Sequence, residues 1–323
     1  MIKSVLLLFI ILFFKCSGIA QENYLGYHAK VTECEQLVVE RNFAAAIVKL
    51  DALFNQFDFV FLRDIKMAAG LSAFVKDDES AFRFIRLGIT AGWTLKSINK
   101  NDNLKYLTDD HQWTKLVSEY DSLRRIYLTR LNSQLREQVH EMFKKDQKMA
   151  FRALFRIGQK SQEKYTEKDF APHSEKQIAL LDSLLKQYGY PGELIIGNHL
   201  WASVILSHHN SISRNYNSKD TLYTQLRPKL LEALKRGEIS PYEFAQMEDW
   251  RTAGLHDHEL TAYGFIGKIP DNNVLKRVNK NRADIGMRSV ELRNDLIDLE
   301  KSTGLDLYLP KGWQRGKITP VDN

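Results

Sequence analysis

The stretch Asn42-Phe43-Ala44-Ala45-Ala46-Ile47-Val48-Lys49-Leu50-Asp51-Ala52-Leu53-Phe54 decides how this chain folds. Asn42 separates this stretch from the helical series before it. Behind Asn42, Ala46, Ile47, Leu50, Leu53 and Phe54 recur every three or four positions, which lays apolar side chains along one helix face. Asp77-Asp78-Glu79-Ser80-Ala81-Phe82 opens a second such series, continued by Phe84, Ile85 and Ile89. Ala46 and Ala81 lie 35 residues apart, close to the ~34-residue period of tetratricopeptide repeats. A partner series precedes each: Val31, Cys34, Leu37 and Val38 before Asn42, and Phe61, Ile65, Ala68, Leu71 and Phe74 before Lys76. The small alanines let paired helices approach closely. Two units are fewer than the roughly three a free-standing stack needs, so they must lean on the remainder of the chain.

Towards the N-terminus, Val5–Phe14 is an unbroken apolar run behind Lys3 and ahead of Ser17-Gly18-Ile19-Ala20-Gln21. A charged start, a hydrophobic stretch and small residues at 18 and 20 are the parts of a secretory signal peptide. The run is about half of the ~20 residues needed to span a bilayer. The pattern predicts cleavage after Ala20, a periplasmic or secreted product and no transmembrane span once the leader is gone. Removing residues 1–20 leaves 303 of 323 and takes the net charge from +6 to +4, with Lys3 and Lys15 lost. That mild surplus falls short of a nucleic-acid signature, and no nucleic-acid partner is expected. Cys34 would be the one remaining cysteine, expected as a small buried helix residue, so the hydrophobic core must hold the product together without an intrachain disulfide. Seven prolines and long runs rich in Leu, Lys, Glu and Ala predict an all-α chain.

Towards the C-terminus, Gly92-Trp93, Asp102-Asn-Leu104-Lys-Tyr-Leu107 and Trp113-Thr-Lys-Leu116 come after the second unit. Together with Ala81 onward they resemble the segment that ends many bacterial tetratricopeptide arrays. Trp93 and Trp113 are expected as packing residues. Leu116–Ile157 reads as a long amphipathic helix, and Gly158–Ser174, with no apolar period, as a linker. Ser174 is placed to cap a helix that Gly189 and Pro191 stop. Further helices are expected over about 198–209, from Asp220 to Arg236 with a kink or later start at Pro228, and from the capping box Ser240-Pro-Tyr-Glu243. Gly254–Ile269 is irregular, and helical spacing resumes through Val274, Val278 and Ile285 and again through Val290 to Leu299. Lys276, Arg277, Lys280, Arg282 and Arg288 read as a solvated helix face. The organisation is therefore a signal peptide (1–20), tetratricopeptide-like helix pairs (21–118), a connecting long helix (119–157), a helical domain (158–310) and a tail (311–323).

Residues from about Asp146 to Leu307 resemble a bacterial family known as domain of unknown function 6624. Carrying the resemblance are Asp146-Gln147, Arg152, Tyr188-Gly189-Tyr190-Pro191, Ile196-Gly197 and His208. Gly237-Glu238-Ile239-Ser240-Pro241, Asp249-x-Arg251, Tyr263-Gly264 and Arg282-x-x-x-Gly286 continue it. It covers about half of the chain and implies an exported helical domain with a map of polar positions but no activity. This chain departs from the pattern where Trp250 precedes Arg251, where Thr261 replaces a Gln, and where Phe265-Ile266 come after Tyr263-Gly264.

His208 and Asp249 are the candidate catalytic residues, and Arg251, Tyr263 and Arg282 the candidate ligand contacts, an Arg being suited to a carboxylate or phosphate. His256 and His258 point the same way if extended and are weak candidates for a metal, although no zinc-protease spacing surrounds them. No metal or other cofactor is expected. Two functions stay open. One is an exported binding module, with a protein or peptide docked on the front repeats or a ligand held behind. The other is a hydrolase-like enzyme with His208 as base, Asp249 orienting it and an Arg binding an anionic group. Mass spectrometry of the exported product should find Gln21 as its first residue; an intact leader on a cytosolic product would refute the export reading.

Overall fold

A computed structural model describes residues 23–310 and 316–320. The expected signal peptide, and residues 311–315 and 321–323 of the expected tail, lie outside the described residues. The protein is all-α, with no strand among the described residues. None of the described helices is long and apolar enough to cross a membrane.

Four helices form the front: α1 (Tyr24–Val39), α2 (Phe43–Phe54), α3 (Leu62–Phe74) and α4 (Asp78–Thr90). Asn42 and Asp77 cap α2 and α4, accepting from the Ala45 and Ser80 amides. Ala46 and Ala81 are completely buried, as is Cys34. Neighbouring helices pack in sequence order, and both ends of the short stack are covered. On one side α5 (Leu95–Ile98), a 3-10 turn (Lys105–Asp109) and α6 (His111–Arg130) close it, with Trp93 in the core. On the other, α16 (Val290–Thr303) lies against α1, and Leu296, Leu299, Leu305, Leu307 and Leu309 enter the front core. The stack leans on the far end of its own chain. Each such leucine removed from water contributes roughly 1.5–3 kcal/mol.

Between these ends, α7 (Ser133–Leu154), α9 (Ala171–Tyr188), α10 (Glu193–Ile196), α11 (Trp201–Asn210), α13 (Leu222–Lys235) and α14 (Pro241–Leu255) build a second core. Beside it, α8 (Gln159–Tyr165) and α12 (Arg214–Asn217) share a small cluster with Phe170, and α15 (Asn272–Asp284) packs in another with Val290 and Ile318. Three expectations are corrected. The connecting long helix over 119–157 is two helices: Leu131 is extended, and Asn132 caps α7 by accepting from the Leu135 amide. Leu128, Leu131 and Leu135 carry the apolar spacing across the break, which hides it. Gly158–Ser174 is mostly helical, through α8, a π-helical turn (Thr166–Phe170) and the start of α9. Its inward residues Tyr165, Phe170 and Ala171 are too few and too uneven to show a period. Pro172 sits in the first turn of α9, where its missing N–H is tolerated, and Ser174 bonds His209 instead of capping. In the tail, Ile318 is buried and its backbone bonds Asn294 twice.

Helix α13 begins at Leu222 and continues through Pro228. The Ser240–Glu243 capping box forms as its sequence predicts. The loop from His256 to Asp271 is irregular, as expected.

Gly286 ends α15 at φ +73°, the left-handed region that favours glycine. It presses on α1: an added Cβ would lie 2.8 Å from the Leu25 carbonyl oxygen and from the His28 Cβ. Gly304 has the same φ with open space around it. Gly304→Ala should therefore cost only the conformational penalty, about 1–2 kcal/mol. Gly286→Ala should cost more, because the backbone it meets must move. Equal losses in urea unfolding would show that α1 does not bear on that turn.

Candidate functional site

A cavity of about 220 Å³ lies where the two ends of the chain meet. One water needs only about 10–15 Å³ of such space, so the cavity admits a small molecule. His28, Val31 and Thr32 of α1 form one wall, and Phe61 with Arg63 and Asp64 of α3 the next. Leu200, Pro241, Tyr242 and Phe265 add apolar surface. Arg282, Met287, Arg288 and Arg293 close it from the C-terminal side, beside Glu193 and Glu243.

Behind this lining the front and rear are tied by charge. Glu35, on the buried face of α1, meets Arg63 Nη1 at 2.6 Å and Arg288 Nε at 2.5 Å. Burial pushes its carboxyl up, but Arg288 and Arg63 outweigh burial and hold it below the usual carboxylate range. Arg63 also meets Asp64 at 2.9 Å and donates from Nη2 to the Leu307 carbonyl at 3.1 Å. Asp64 accepts from the Tyr27 hydroxyl at 2.8 Å. One guanidinium thus joins α1, α3 and the extended run beyond α16.

The remaining polar groups are enclosed. Burial, followed by the nearby Arg63, pushes the His28 imidazole down to about 3, so it is neutral. Glu193 keeps some surface in the cavity, yet protein atoms crowd it, and burial pushes its carboxyl up to about 7 against a 2.7 Å bond from the Leu62 amide. That bond caps α3, whose own N-cap Phe61 has no side chain to do so. Burial also raises Asp64 and Glu243. Arg282 is pushed down to about 9, first by burial and then by Arg288 and Arg293, and stays charged at neutral pH. Its Nε donates to the Arg288 carbonyl at 2.7 Å and its Nη1 to the Tyr263 carbonyl.

The sequence-predicted site residues fall in three places. Asp249, Tyr263 and Arg282 form a scaffold behind the cavity, and of these only Arg282 lines it. Asp249 is completely buried on α14 and accepts hydrogen bonds from the Thr261 hydroxyl and from the amides of residues 262, 263, 265 and 266. Burial pushes its carboxyl up to about 6 while those donors pull it down. Asp249 therefore anchors the loop that presents Phe265 to the cavity and the Tyr263 carbonyl to Arg282. Arg251 pairs elsewhere, with Asp220 at 2.8 Å.

His208 stands apart. Its Nδ1 is 2.6 Å from Oδ2 of the buried Asp146 on α7, so Asp146, and not Asp249, orients it. The neighbouring His209 is completely buried between Ser174 and Asp220. Adjacent residues on a helix point about 100° apart, which sends the two rings to different neighbours. A carboxylate-held imidazole with partial exposure is suited to proton transfer. Arg251, Tyr263 and Arg282, however, make their contacts on other elements. His256 and His258 lie on an exposed turn in which Asp257 and His258 have positive φ, so the segment is not extended. Asp257 pairs there with Arg214, and Glu259 with Lys268. Among the described residues no group of three metal-ligating side chains is arranged to hold an ion. Of the basic run, Lys276, Arg277 and Lys280 are exposed, whereas Arg282 is buried and Arg288 turns inward.

Sequence reasoning passes over Glu35, Arg63, Asp64, Glu193 and Arg288 as site residues. A signal exists for Glu35, a carboxylate on the apolar stripe between Val31 and Val38, and for Arg63-Asp64, set inside the run Phe59 to Ile65. No protein-family model, curated protein or solved structure matches the chain.

Asp249→Asn would present an amide to the Phe265 and Ile266 N–H groups, leaving two buried donors facing a donor. The variant should lose about 2–4 kcal/mol in chemical unfolding. Unchanged stability would remove Asp249 from its anchoring role.

Proposed function

We propose that this protein is an exported, ligand-binding helical protein, and that the cavity between the chain's two ends takes a small molecule with an apolar body and an anionic group. The observation that carries the reading is four arginines, Arg63, Arg282, Arg288 and Arg293, lining one largely apolar cavity. Against them Glu35 pairs with Arg63 and Arg288, and Asp64 with Arg63, while burial raises Glu243 and pushes Glu193 up to about 7. Arginine stays protonated at neutral pH and its planar fork matches a carboxylate or phosphate. An apolar wall with a few convergent polar groups is the usual make-up of a small-molecule site.

This reading is favoured over a peptide groove on the front helices. Trp93 is core there and Trp113 packs against that core, so the front offers few aromatic anchors of the kind that carry interface energy. It is also favoured over the hydrolase-like alternative, because His208, Asp249 and Arg251 contact separate partners.

Small aromatic and branched aliphatic carboxylates should raise the melting temperature, with matched amines and amides inert. A ligand present at a hundredfold excess over its Kd stabilises by about 2.7 kcal/mol. Leu200, half-exposed among the lining residues, offers a way to block the cavity without touching the core. Leu200→Trp should abolish the shift while leaving the unliganded melting temperature in place. Stabilisation by amines as strongly as by carboxylates, or a shift that survives Leu200→Trp, would overturn the proposal.

A further inference from the structure

The turn between α7 and α8 carries the densest exposed apolar group among the described residues. Phe151 is 58 % exposed, Phe155 69 % and Ile157 95 %. Folded proteins seldom leave two aromatics and an isoleucine in water within seven residues unless the surface meets a partner. The two phenylalanines pack edge to face, 4.8 Å between centroids, and hold one another outward. Gly158 at the turn has open space around it, so the tip projects into solvent and forms no groove.

Charge on the tip has one sign. Residues 147–162 contain Lys148, Arg152, Arg156 and Lys160 and no acid, in a chain with 46 basic and 40 acidic residues. All four cations are exposed. On α7, Lys148 and Arg152 lie four residues apart, on the same side as Phe151. Phe155 and Arg156 come directly after the helix end, where the Arg156 guanidinium stacks on Tyr165. Of the two acids that border this stretch, Asp146 turns the other way and is buried against His208, while Glu163 is exposed on α8 beyond Lys160.

We propose that this tip docks the protein onto an anionic lipid bilayer, with Phe151, Phe155 and Ile157 entering the headgroup region and the four cations meeting lipid phosphates. A projecting apolar tip fits a deformable bilayer better than it fits a rigid protein surface, which would need a matching hollow. Apolar insertion combined with a basic rim is how interfacial helices bind, and each surface cation adds to the attraction of an anionic leaflet.

Co-flotation with vesicles tests this, using phosphatidylglycerol and phosphatidylcholine against phosphatidylcholine alone, with every variant in the same background. Partitioning onto the anionic vesicles should fall at least tenfold on neutral vesicles and again at high salt, where the Debye length shrinks to about 3 Å. Phe155→Ser with Ile157→Ser should lower it at least tenfold. So should Lys148→Gln, Arg152→Gln and Lys160→Gln together. Both variants change exposed residues and should keep the wild-type melting temperature, which separates lost docking from lost folding. No partitioning onto anionic vesicles, or undiminished partitioning in both variants, would overturn the proposal. Concentration-dependent dimerisation without lipid, abolished by the apolar variant, would also overturn it and assign the tip to a second copy of the chain.

Discussion

A carboxylate with no exposed surface, Glu35, sits between the guanidiniums of Arg63 and Arg288. Taking these ions out of water is costly, and their mutual attraction offsets that cost only where geometry is close and the remaining donors are satisfied. Both contacts to Glu35 are close, and Arg63 also reaches Asp64 and the Leu307 carbonyl. Removing one member would strand the others, a loss of about 3–5 kcal/mol. Apolar residues would fill the same space without specifying where α1, α3 and the segment before α16 meet. We read the triad as a device of register, and the cavity exists because that register leaves the two ends of the chain close but not fused.

The rest of the wall depends on a second buried carboxylate. Asp249 gathers a loop that has no regular structure of its own, and the loop fixes Phe265 and the Tyr263 carbonyl. Tyr263 then holds Arg282, and Gly286 four residues on brings the end of α15 onto α1. Of the positions that sequence marks as a polar site, Asp249 and Tyr263 thus act one layer behind the space that Arg282 lines. His208 with Asp146 belongs to a different part of the molecule, between α11 and α7.

Helices are legible in the sequence because their apolar faces and caps are local. Asn42, Asp77 and the Ser240–Glu243 box define their helix starts within four residues, and Ala46 and Ala81 mark the close approaches. The illegible features depend on partners far away in sequence. Nothing around Arg63 says that its partners are Glu35, Leu307 and, beside it, Asp64. Glu193 caps a helix 131 residues earlier. The break at Leu131 is masked by leucines that keep the period on both sides. Gly158–Ser174 reads as a linker because its helices bury too few residues to leave a pattern. Arg282 and Arg288 look like members of a solvated run, since composition cannot tell a guanidinium that bonds carbonyls from one in water.

The wrapping of Leu305, Leu307 and Leu309 into the front core has a consequence for how the chain is made. Helices α1 to α4 are complete early, yet one flank of their core waits for residues synthesised some 200 positions later. At roughly 5–20 residues per second that gap is on the order of ten to forty seconds. During it α1 presents an uncovered apolar flank, together with a carboxylate that lacks one of its two arginines. The first quarter of this protein therefore completes its core only once the distant segment that covers it has been made.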